Sequence, residues 1–81
     1  MHELSIALSL LEVAEEEAQR QGYAQVMAIH LKVGLLSGVV PDALRNAFEL
    51  ARETSPLATA RLEIAEAAGR ELEVTAMEIA S

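Results

Sequence analysis

The chain has 81 residues, 52% of them apolar, and a net charge of −7 from 6 basic and 13 acidic side chains. That is enough apolar material for one packed core and too little length for two, so a single domain over 1–81 is expected. The acidity argues against nucleic acid and against anionic membranes, because both need a basic patch.

Other absences narrow the chemistry. No cysteine occurs, which removes disulfides, thiolate zinc sites and thiol nucleophiles. The first residues lack the basic stretch of a signal peptide, and no apolar run approaches the ~20 residues of a membrane span. The cytoplasm is therefore the expected compartment. Tyr23 and Phe48 are the only aromatic residues, so the core must be aliphatic.

Met1-His2-Glu3 is the one metal-competent stretch. The α-amino nitrogen of Met1, the backbone nitrogen of His2 and an imidazole nitrogen of His2 are all able to reach one ion. Amine and amide nitrogen close a five-membered chelate ring, and the amide with Nδ1 closes a six-membered one. The Glu3 side chain, its amide or a group from elsewhere supplies a fourth position. So flat and nitrogen-rich a set suits Ni(II) or Cu(II) better than tetrahedral zinc. It requires a free N-terminus, and the large His2 side chain disfavours removal of Met1. The competing reading makes His2 a terminal residue without a role.

Glu3 to Gln21 reads as an amphipathic helix in which Leu4, Ala7, Leu8, Leu11, Ala14 and Ala18 recur at helical spacing. Ser5, Ser9, Glu12, Glu16 and Gln19 form its polar wedge, Glu16 is spaced to pair with Arg20, and Gly22 suits a C′ position. Ile6, Leu10 and Val13 widen the apolar arc to roughly 220°, more than one core stripe needs. Either the helix touches both a sheet and a second helix, or Ile6 and Val13 dock a partner. Glu15-Glu16-Glu17 reads as a solvated face, with a basic partner patch as the alternative.

Gln25 to Leu36 alternates as a strand. Met27, Ile29, Leu31, Val33 and Leu35 are expected to face the helices, with Val26, Ala28, His30, Lys32 and Gly34 opposite. His30 then lies on the more polar face as a surface histidine. Residues 36–40 form a loop, and Pro41 and Asp42 open a second helix that buries Leu44, Ala47, Phe48 and Ala51 and ends near Glu53. Ala60 to Ala67 and Arg70 to Ile79 read as two further strands around an Ala68-Gly69 turn, antiparallel to each other. Leu72 and Val74 share one parity and Met77 and Ile79 the other, which calls for a bulge near Thr75-Ala76. The order helix-strand-helix-strand-strand predicts an α+β two-layer sandwich, with two helices on one face of a three-stranded mixed sheet.

No phosphate-cradling glycine loop, HExxH motif, nucleophile triad or isolated acid/base carboxylate pair is visible, so an enzyme is not expected.

Taken together, Met1-His2-Glu3-Leu4-Ser5, His30-Leu31-Lys32-Val33-Gly34-Leu35-Leu36-Ser37-Gly38-Val39, Pro41-Asp42-Ala43-Leu44, Ala47-Phe48-Glu49 and Ala60-Arg61-Leu62-Glu63-Ile64 resemble the HypA/HybF family of hydrogenase nickel-incorporation proteins. The match follows nearly the whole chain in order. The resemblance implies a nickel metallochaperone that works with a maturation GTPase and delivers Ni(II) to the large subunit of a [NiFe]-hydrogenase, in some organisms also towards urease. It implies that Met1, His2 and Glu3 carry the nickel. Family members hold a zinc lobe with two CxxC pairs between the last two strands. Here residues 67–70 bridge those strands directly, so no zinc is expected. A short bridge also invites strand exchange, which makes a homodimer the alternative assembly. The competing function is a metal-free interaction module that docks the GTPase or a hydrogenase subunit through Ile6 and Val13.

Overall fold

The computed structural model describes residues 2–22, 25–57 and 59–80. Helix α1 spans Glu3–Arg20, strand β1 Gln25–Gly34, helix α2 Pro41–Arg52, strand β2 Arg61–Ala67 and strand β3 Leu72–Ala80. The order is the one the hydrophobic periodicity predicts, and the two helices pack against each other and on the sheet.

The sheet order is β2-β1-β3. β1 pairs with β2 in parallel, from Ala28 opposite Arg61 to Gly34 opposite Ala67. It pairs with β3 antiparallel, from Gln25 opposite Ala80 to Val33 opposite Leu72. β2 and β3 thus run in opposite directions, but they flank β1 and do not form the pair that a tight turn implies. The physical reason is burial. β1 carries Val26, Ile29, Leu31 and Val33, all at most 2% exposed, whereas β2 and β3 hold no fully buried residue. The most apolar strand takes the centre, and the β2–β3 connection must cross its end. There Gly34 N–H donates to Glu71 O at 2.7 Å, Leu35 N–H to Ala67 O at 2.8 Å and Leu36 N–H to Gly69 O at 2.8 Å.

Two irregularities set which side chains face inward. Between His30 and Leu31 the partner on β3 jumps from Ala76 to Val74, so Thr75 is the extra residue of a bulge where the parity change requires one. A second shift between Val26 and Ala28 leaves Met27 as an extra residue on β1. Val26 therefore joins the core and Met27 is only half-buried, the reverse of strict alternation. Leu35 does not face the helices either: β1 ends at Gly34, and Leu35 and Leu36 are exposed in the following turn.

Phe48 is fully buried among Ile29, Leu31, Leu44 and the small face of α1, so truncating it is expected to cost about 3–5 kcal/mol. Along α1 the buried stripe is Ala7, Leu10, Leu11, Ala14 and Ala18. Leu4 and Leu8, expected inside, stay about half exposed because one α2 and three strands are too narrow to cover so wide an arc. Ile6 is partly packed on the core, and Val13 is exposed. Arg20 pairs with Glu17 at 3.0 Å and not with Glu16. Gly22 takes φ +75° just past the helix, as a C′ residue does. Val40 is the N-cap of α2 and Pro41 its first residue, which fits a ring with no N–H to leave unpaired.

Candidate metal centre at the N-terminus

His2 is the N-cap of α1 and is exposed. Its carbonyl accepts the first helical bond, from Ile6 N–H at 3.2 Å, but its side chain caps nothing. Two chemical facts follow. The imidazole is free of the structural duty that N-cap side chains usually perform. The backbone N–H groups of the first turn have no acceptor within the helix, so a metal competes with no ladder bond for them.

Glu3 is held more firmly. Its Oε2 accepts from Val40 N–H at 3.4 Å, which brings the N-termini of α1 and α2 together. Its own backbone N–H, and then that of Val40, hold its carboxyl below the usual carboxylate range. An acid at this end of two helices also opposes their dipoles favourably. Sequence periodicity had no means of finding Val40, because the contact joins two elements through a main-chain donor. Met1 lies outside the described residues. His2 and Glu3 are thus adjacent at one exposed end, while Ile6 and Val13 lie further along α1, on the flank that faces β3.

Elsewhere the described residues offer little to a metal or a reaction. No three His, Asp or Glu side chains among them gather closely enough to hold an ion. His30 stays half-exposed on the helix-free face of the sheet. Its Nε2 lies 2.6 Å from Glu78 Oε2, and Arg61 bridges Glu78 and Glu63 beside it. The His30 bond first, and Arg61 after it, hold the Glu78 carboxyl below its ordinary range. A hollow of about 410 Å³ between the C-terminal half of α1 and the start of β1 has Glu15 as its only titratable lining group among the described residues. No described helix is long and apolar enough to cross a membrane.

Comparison with known proteins gives this arrangement its context. Residues 1–72 match the family model described as "Hydrogenase/urease nickel incorporation, metallochaperone, hypA". The chain is 56% identical over 66 residues to a hydrogenase maturation factor HypA of Roseiflexus sp. (strain RS-1), covering 82% of this chain and 54% of that one. It is 48% identical over 66 residues to the same factor of Chloroflexus aurantiacus, covering 82% and 58%. The solution structure of the Ni metallochaperone HypA from Helicobacter pylori superposes with a TM-score of 0.73 at 21% identity, over 100% of this chain and 95% of that one, which shows a shared fold. The match over residues 1–72 places the chain in the class of hydrogenase/urease nickel-incorporation proteins. The chain belongs to the HypA family. It spans little more than half the length of these two curated relatives.

Proposed function

We propose that the chain carries Ni(II) at its own N-terminus, through the amine of Met1 and the amide and imidazole nitrogens of His2, with Glu3 completing or flanking the site. One observation carries this reading: His2 precedes the helix with its side chain exposed and engaged in no cap. Delivery needs an ion bound firmly yet exchangeably, and an open terminal chelate provides both. Nickel is the cargo here, bound for a [NiFe]-hydrogenase large subunit and handed on with a maturation GTPase. Residues 67–70 stand where longer family members carry the zinc lobe. No cysteine is available for such a lobe, and the whole chain acts as one nickel-binding domain. The site binds and releases an ion and catalyses nothing.

The test is a Ni(II) titration of protein with an authentic free N-terminus, followed by absorption. One equivalent with a square-planar d–d band is expected. His2→Ala and a one-residue extension before Met1 should each abolish it. Binding indifferent to both changes would leave the second reading, a metal-free docking module. That reading is favoured by one observation of its own, the exposure of Val13 beside the half-buried Ile6.

A further inference from the structure

α2 begins without the side-chain contacts that usually open a helix. Val40 is its N-cap, and the apolar Val40 side chain makes no capping bond. A capping box places a glutamate or glutamine three positions on, where it reaches back to the N-cap N–H. Here that position is Ala43, which has no acceptor to offer.

The missing acceptor comes from the other helix. Glu3, in the first turn of α1, holds its Oε2 3.4 Å from the Val40 nitrogen and accepts the bond that position 43 cannot. The two residues are 37 positions apart in sequence. α1 thus supplies the returning half of a capping box to α2.

The Val40 side of this contact is firmly held. Val39 is 7% exposed and belongs to the core. Its N–H donates to Ser37 Oγ at 3.2 Å, and Gly38 between them takes φ +82°, in the left-handed region. The Val40 carbonyl accepts from Leu44 N–H at 3.0 Å, the first bond of α2. The donor therefore sits between a core anchor and a helix.

The Glu3 side has more freedom to lose. Ile6 N–H to His2 O at 3.2 Å closes the first turn of α1, and the His2 side chain takes no part in it. Helix ends fray, and a second hold on Glu3 fixes the backbone that follows His2 before any ion arrives. Torsions already fixed cost no conformational entropy when the chelate forms. We propose that Glu3 and the Val40 N–H are a positioning pair for the terminal nickel site: the carboxylate ties the start of α1 to the loop of residues 37–40, leaves the metal to the nitrogens, and preorganises His2 for chelation.

The inference rests on the nickel-carrying reading, and the experiment separates their failures. Ni(II) is titrated into the full chain with an authentic free N-terminus and followed by circular dichroism of the d–d band, which reports the conformation of the chelate. Amide relaxation of the metal-free protein is followed by NMR. Val40→Pro removes the donor without touching α1, and the Val40 φ of −91° is close to what proline adopts. Glu3→Ala removes the acceptor. Each is expected to keep one equivalent of nickel, to bind it roughly tenfold more weakly and to alter the dichroism, with faster motion at the Glu3 and Leu4 amides before metal is added. Glu3→Gln keeps a side-chain oxygen able to accept the same bond and is expected to restore the wild-type affinity and dichroism.

Unchanged affinity and dichroism in both Val40→Pro and Glu3→Ala would overturn the positioning role and leave terminal nickel binding standing. A loss in Glu3→Gln as large as in Glu3→Ala, with Val40→Pro unaffected, would make the carboxylate a ligand and overturn it as well. No binding by wild type, or binding indifferent to His2→Ala, would overturn both. If Val40→Pro does not fold, the two Glu3 variants decide: weakening in alanine rescued by glutamine supports the pair, and weakening in both or in neither overturns it.

Discussion

Gly34 and Gly69 meet backbone to backbone where the β2–β3 connection crosses the end of β1. A Cβ added to Gly34 would sit inside contact distance of the Gly69 carbonyl, with the Glu71 carboxylate just beyond. The obstacle is main chain pinned by the Leu36–Gly69 and Gly34–Glu71 bonds, so it has little room to yield. Gly34→Ala is expected to destabilise by about 1–3 kcal/mol. Urea midpoints would show it. Gly22→Ala, with open space around it but φ +75°, should cost about 1 kcal/mol by a different cause, the left-handed backbone.

Glu71 Oε1 is buried at the same crossing with no hydrogen-bond partner among the described residues. A buried oxygen left without a donor costs about 1–3 kcal/mol. Glu71→Met keeps the length and removes the oxygen. It is expected to raise the urea midpoint, and an unchanged or lower midpoint would show that the carboxylate is satisfied in solution.

The Glu78 carboxyl gives a signed pH dependence. Its folded pKa is lowered, so its contribution is complete above the unfolded carboxyl value of about 4.3 and is lost as pH falls through the folded value. Glu78→Gln should therefore be slightly less stable than wild type at neutral pH. The difference should shrink and vanish in acid. Melting curves across that range read it directly.

Nickel binding should weaken in the same direction, towards acid, but at higher pH and without involving Glu78. An amine and an imidazole must shed protons to bind metal, so protons compete with nickel for the site. Affinity is expected to fall steeply as pH drops from 8 to about 6. Glu3→Gln should retain one equivalent of nickel, because the Glu3 carboxylate is already committed to Val40 N–H. Loss of the planar band in that variant would make the carboxylate a ligand.

Most of this architecture was readable from hydrophobic spacing. The periods placed all five elements within two residues of their ends, and the parity break in β3 located the Thr75 bulge. What escaped was decided by tertiary competition. The centrality of β1 depends on which strand is most apolar on comparison, not on its neighbours in sequence. Met27 gave no parity signal, since apolar residues on both sides of it mask a slip. Leu4 and Leu8 follow the helical period faithfully and still face water, because the sheet beneath is too narrow. At the site, His2 and Glu3 were legible as chemistry, whereas the Val40 donor was not. His30 read correctly as a surface residue, but its Glu78 partner is 48 positions away and invisible to local pattern.

Placing β1 between β2 and β3 also governs how the molecule must assemble. The consecutive strands β1 and β2 pair in parallel across α2, and β2 and β3 do not pair at all, so there is no hairpin to nucleate the sheet, and every ladder bond waits on closure of a long loop. The βαβ unit of β1, α2 and β2 is the earliest segment able to bury Phe48. Once β2 has docked, the short tether of residues 68–71 delivers β3 to the far edge of β1 at high effective concentration. Refolding is then expected to show β3 amides gaining protection last, with the same crossing that crowds Gly34 acting as the latch.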